Sequence, residues 1–163
     1  MDGAAVVGVA VAIAVTLVAC ADSPRSFGDP TGDPELPPRG EGDIEPWIRA
    51  GHYLSWSCEA VPVDVRLGSP HRPQTRTCSN QLARAGGTGE LPVGAASVKE
   101  MYDDAGQIMG YGVSRKVEAG GAAGWYWYER LRDRDPNADG MNEGSCPGCH
   151  VGAARDFTFV IVP

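Results

Sequence analysis

The pentapeptide Cys146-Pro147-Gly148-Cys149-His150, with thirteen residues after it, constrains this chain more than any other stretch. Two thiols at i and i+3 followed directly by a histidine form the arrangement that c-type haem attachment requires. The cysteines reach the two vinyl groups of one porphyrin while the histidine turns to the iron. The rest of the chain is then read as the enclosure for that group. A structural zinc site would need four ligands, and with no second close-spaced pair it would have to recruit Cys58, Cys78, His52 or His71 from far away. A thioredoxin-like redox pair would want a βαβ unit around it, and too little chain follows.

The motif's position narrows the architecture. Small electron-transfer cytochromes usually attach haem near the N-terminus and draw an axial Met from downstream, but nothing after His150 is Met or His. A four-helix cytochrome can end on such a motif, yet 22 Gly and 13 Pro do not make four long helices. What remains is an α+β fold, mainly antiparallel β-sheet with a few short helices. Alternation predicts strands over about Ala96 to Tyr102, Ile108 to Val117, Trp125 to Leu131 and Phe157 to Val162, with Asp103 to Gly106 as a hairpin turn. Short helices are predicted over Glu45 to Gly51 and, capped by Ser79, over Asn80 to Ala85. Cys58 to Thr77, with Pro62, Pro70 and Pro73, reads as loop with one edge strand at Val61 to Leu67. Within the third long strand Trp125, Trp127 and Glu129 share one face, and Tyr126, Tyr128 and Arg130 the other. One aromatic face packs on the core or on the haem; a plain aromatic ladder in the core is the alternative. Asp135 to Gly140 resembles half a calcium loop, but Cys146 stands where the bidentate Glu belongs, so it reads as a solvated turn.

Residues 1–19 carry one charge, Asp2, and an unbroken run of apolar and small residues. That run is short for a bilayer span and reads as a signal peptide, although no Lys or Arg precedes it. Its ending, Leu17-Val18-Ala19-Cys20, resembles a bacterial lipobox, which implies that Cys20 is lipid-modified and that the protein is anchored on the periplasmic side of the cell envelope, at the outer membrane. An ordinary secretory signal with an incidental cysteine is the alternative. Residues 20–43 are rich in Pro, Gly and Asp and read as a disordered tether, leaving 44–163 as one domain. Five cysteines then divide into one anchor, two haem thioethers and the pair Cys58 and Cys78, which can form a disulfide in an oxidising compartment or stay as two buried thiols. The net charge of −7 becomes −6 without Asp2, which argues against nucleic acid as a partner and leaves any redox partner open.

The order Trp47-Ile48-Arg49-Ala50-Gly51, Val98-Lys99-Glu100, Arg115-Lys116, Trp125-Tyr126-Trp127-Tyr128, Cys-x-x-Cys-His and Arg155-Asp156-Phe157-Thr158-Phe159 resembles the cytochrome P-460 family over Glu45 to Pro163. The resemblance implies a mainly antiparallel β domain, often a homodimer, holding a five-coordinate haem c through Cys146, Cys149 and His150. Members of that family oxidise hydroxylamine or bind nitric oxide, and related cytochromes bind gases without turnover. In the oxidising members a strand lysine is cross-linked to the porphyrin, and Lys99 falls at that position; taken alone it reads as a solvated surface lysine. A distal arginine is also implied, with Arg76 the match. Where oxidising members place a proton-accepting carboxylate the alignment puts Gly112, and Glu100, Glu118 or Glu129 would have to substitute. The sixth iron position is either open, which means ligand chemistry, or filled by His52, His71, Met101, Met109 or Met141, which means electron transfer.

Overall fold

The computed structural model describes Met1, residues 36–65, 68–71, 73–159 and Val162. Residues 2–35, with nearly all of the expected signal peptide, Cys20 and most of the expected tether, lie outside the described residues. Among the described residues the fold is a seven-stranded, wholly antiparallel sheet with two short α-helices. The strands are β1 (Ser57–Cys58), β2 (Val63–Asp64), β3 (Gln74–Ser79), β4 (Ala96–Tyr102), β5 (Ile108–Lys116), β6 (Trp125–Leu131) and β7 (Ala138–Met141). Their order is β1-β3-β4-β5-β6-β7, with β2 also paired to β3.

The central strands β4, β5 and β6 stand where alternation predicts them. Their first hairpin turns at Asp103, whose carboxylate accepts the amides of Ala105 (3.0 Å) and Gln107 (2.9 Å), while Gly106 takes the left-handed conformation (φ +74°) that closes the turn.

Several expected elements differ. Helix α1 spans Glu41–Arg49, beginning inside the stretch expected as tether, with Pro46 in its interior rather than its first turn. Leu36, at 8 % exposed, already belongs to the core. The helix start is secured from the sheet, because Asp139 Oδ2 accepts the Glu41 amide at 2.8 Å. The stretch expected as loop up to Thr77 contains β3, which is paired on both sides, and Ser79 ends that strand instead of capping a helix. Asn80 does the capping: its side chain accepts from Ala83 N (2.9 Å) and Ala96 N (3.0 Å) and donates to Gly94 O (2.8 Å), and the chain from 81 to 84 is a turn. The expected final strand is absent over 157–159, where Thr158 makes only an isolated bridge to Arg155. The Asp135 to Gly140 stretch ends in β7, so Asp139 and Gly140 are ladder residues.

The two faces of the sheet have separate duties. On one, Ile44, Trp47 and Ile48 of α1, with Tyr53 of the following 3₁₀ turn (His52–Ser55) and Trp56 directly after it, pack on Cys78, Val98, Val113, Tyr126 and Tyr128. On the other, Trp125 and Trp127 pack with Ala83, Leu91, Ala95 and Ala138, and Cys146 and Phe157 lean on them. Cys58 and Cys78 sit opposite one another across β1 and β3 and are joined by a disulfide. Closing a loop of sequence separation 20 stabilises the fold by roughly 3 kcal/mol on a chain-entropy basis.

Candidate functional site

The haem-type motif forms helix α2, Ser145–His150. Positions i, i+3 and i+4 fall on one side of a helix, so Cys146, Cys149 and His150 point the same way. All three line a cavity of about 390 Å³ on the face of the sheet opposite α1, within the roughly 300–1,000 Å³ typical of ligand pockets. Its floor is a cross-strand row read directly from the register: Thr77 opposite Lys99, Lys99 opposite Gly112, Gly112 opposite Glu129. Phe157 and Phe159 form a wall, and Val63, Pro70 and His71 come over from the β2–β3 segment.

His150 Nδ1 donates to the carbonyl of Phe157 at 2.7 Å. A carbonyl only accepts, so the proton is on Nδ1 and Nε2 carries the lone pair that an axial ligand needs. The ring packs against Trp127 (centroids 4.7 Å apart, edge-on) and Phe159 (5.1 Å). Burial, with Glu129 and Glu143 nearby, pushes the Cys146 thiol up to about 11. A redox Cys-x-x-Cys pair works through a thiol lowered toward neutrality, so this environment, which keeps the Cys146 thiol protonated, does not suit exchange chemistry. The zinc alternative loses three of its four remote ligands, since Cys58 and Cys78 are bonded to each other and His52 stacks on Trp47 on the opposite face. The fourth, His71, lines the same cavity but has both ring nitrogens engaged, by Lys99 and Glu129, and no cluster of metal-ligating side chains forms among the described residues. These features fit a covalently held haem, with two thiols and an oriented imidazole on one cavity wall.

Opposite this wall lies a chain of polar contacts. Lys99 Nζ is 3.2 Å from His71 Nδ1, His71 Nε2 is 2.7 Å from Glu129 Oε2, and Asn137 Nδ2 donates to Glu129 Oε1 at 3.0 Å. The ammonium of Lys99 can only donate, so His71 accepts on Nδ1 and donates from Nε2 to the carboxylate. Burial alone would raise Glu129, but the hydrogen bonds from His71 and Asn137 and the nearby positive charge of Lys99 hold it below the usual carboxylate range.

The expected residues divide cleanly between the two faces. Cys146, Cys149, His150, Lys99 and Gly112 line the cavity. Arg76 does not: one residue before Thr77 on the same strand, it turns to the α1 face, where Nη1 meets Glu100 Oε2 at 3.2 Å and Nε donates to Glu59 O at 2.9 Å. No arginine is among the described residues lining the cavity. Glu100 faces the same way as Arg76, accepting from Tyr53 (2.7 Å) and Tyr102 (2.6 Å), and Glu118 is exposed beyond β5. Of the three carboxylates that could replace a side chain at 112, Glu129 alone lines the cavity. Of the five candidates for a sixth iron ligand, His71 alone does. The pairing of His71 with Glu129 has no signature in the sequence; only Glu129's place on the tryptophan face of β6 was readable. Comparison of the chain with protein-family models, with curated proteins and with solved structures found no match in any of the three.

Proposed function

We propose that this chain is a c-type haem protein of the cytochrome P-460 type, anchored in the cell envelope through Cys20, with an iron site that binds and oxidises small nitrogen compounds such as hydroxylamine or nitric oxide. The observation that carries the reading is the convergence of Cys146, Cys149 and His150 with Lys99 and Glu129 on one cavity. Cys146 and Cys149 would hold the porphyrin through thioethers and His150 Nε2 would ligate the iron. Bound haem supplies an iron centre that takes a small ligand and accepts electrons.

The chain's own residues supply the proton chemistry. Oxidising an N–H or O–H substrate needs a base within hydrogen-bond reach. Gly112 offers none, but it also leaves no side chain between Lys99 and Glu129, its neighbours on either side in the cross-strand row. Glu129, kept charged by His71 and Asn137, serves as that base from the adjacent strand. A six-coordinate electron carrier with His71 as the second axial ligand is the other reading that the cavity allows. Both His71 nitrogens are already engaged, by Lys99 and by Glu129, which favours the open site.

Two measurements on protein matured with the c-type haem machinery test this. The reduced absorption spectrum is compared with that of Lys99→Ala: a Soret band shifted strongly to long wavelength in the wild type alone means that Lys99 is bonded to the ring. Hydroxylamine-dependent reduction of an added acceptor is then compared with Glu129→Gln, which should lose about 100-fold or more if the carboxylate is the base. A wild type that binds nitric oxide but never reduces the acceptor makes this a gas-binding cytochrome instead.

A further inference from the structure

Away from the cavity, on the far side of Trp125, lies a buried ion pair that the proposed chemistry does not use. Lys116 is fully buried (0 % exposed) at the end of β5, and its Nζ lies 3.1 Å from Asp156 Oδ2 and 3.3 Å from Oδ1. The Asp156 carboxylate, whose side chain is 3 % exposed, also accepts Leu91 N at 2.7 Å and Trp125 Nε1 at 3.4 Å. Glu90 Oε2 approaches Lys116 Nζ at 3.7 Å from the solvent side, and the ammonium sits 5.4 Å from the centre of the Trp125 ring. Desolvating two charges is expensive, and a well-packed apolar pair would serve stability equally well, so the pair calls for a role beyond stability.

Its position supplies one. Asp156 and Phe157 are consecutive non-glycine residues at positive φ, +34° and +64°, a conformation that persists only where the surroundings impose it. Asp156 is the residue of that pair whose side chain is held by three donors, Lys116 Nζ, Leu91 N and Trp125 Nε1, and the next carbonyl, Phe157 O, accepts the hydrogen bond from His150 Nδ1.

We infer that Lys116 and Asp156 are positioning residues for His150: the buried pair locks the left-handed turn, the turn aims the Phe157 carbonyl at Nδ1, and that hydrogen bond orients the ring and raises the basicity of Nε2. This rests on the haem reading above. A more basic axial imidazole favours the oxidised iron, so the pair holds the midpoint potential down.

The test uses the full chain matured with haem, and measures covalent haem content and midpoint potential for the wild type, Asp156→Asn and the double variant Lys116→Met/Asp156→Leu. Both variants should retain covalent haem and shift the midpoint potential to more positive values. Should Asp156→Asn fail to fold around its unpaired lysine, the double variant decides, because it leaves no buried charge. A folded, haem-loaded variant with the wild-type potential overturns the inference and reduces the pair to packing. A wild type that emerges from maturation without covalent haem overturns the haem reading, and this inference with it.

Discussion

At position 129 burial and partnership pull in opposite directions, and the outcome sets a pH dependence. Burial favours the neutral acid, yet the hydrogen bonds from His71 and Asn137 leave the folded carboxylate easier to ionise than in the unfolded chain. A lowered folded value means stability that is present above the unfolded glutamate range, near pH 4.3, and lost as pH falls through the folded value. Glu129→Gln should therefore cost about 1–3 kcal/mol in urea unfolding at pH 7, the scale of a charged hydrogen bond. The gap from wild type should narrow as pH falls from the unfolded glutamate range through the folded value, and a gap that stays undiminished over that fall would show that the ionised carboxylate contributes nothing. Lys99 and Glu129 differ in how far the sequence reveals them. Lys99 stands out through the family resemblance, whereas Glu129 acquires meaning only when Gly112 is seen beside it and His71 is brought over from a loop.

At the scale of one element, β5 carries two glycines with opposite requirements. A Cβ at Gly110 would lie 2.4 Å from the backbone carbonyl of Arg130, which the β5–β6 ladder holds in place. A Cβ at Gly112 would meet only the Tyr128 carbonyl, at an ordinary 3.9 Å. Gly110→Ala should cost about 1–3 kcal/mol as overpacking, and Gly112→Ala should stay within about 1 kcal/mol of wild type, measured by thermal or chemical melts. Equal costs for the two would mean that strand propensity rather than close approach governs this strand. The strands themselves were unevenly legible. In β4 small and apolar residues alternate with polar ones from Ala96 to Lys99, and in β6 the aromatic run from Trp125 to Tyr128 has the composition of a strand. In β3, Gln74 to Ser79 is mostly small and polar, and it becomes a strand because partners on both sides satisfy its backbone. Phe157 to Phe159 has the β composition but spends its hydrogen bonds on a turn that serves His150.

Over the whole molecule the sheet separates support from chemistry. Trp47 and Trp127 are comparably buried, at 3 % and 4 % exposed, but Trp47 braces α1 while Trp127 lies against His150. Replacing either by Ala should lower stability by about 3–5 kcal/mol. Trp127→Ala alone should also alter the spectrum of the haem-loaded protein; an equal spectral change in Trp47→Ala would mean that the faces are coupled. By itself the sequence determined what depends on near neighbours along the chain: the spacing that puts Cys146, Cys149 and His150 on one helix side, the alternation of β4 to β6, and the turn at Asp103. Only the tertiary structure decided that Arg76 turns away from the cavity, that Glu129 stands beside Gly112, that His71 meets both Lys99 and Glu129, and that Lys116 reaches Asp156. Each of these follows from strand register and from which loop packs on which face, and register is set by pairing between distant segments that no local periodicity encodes.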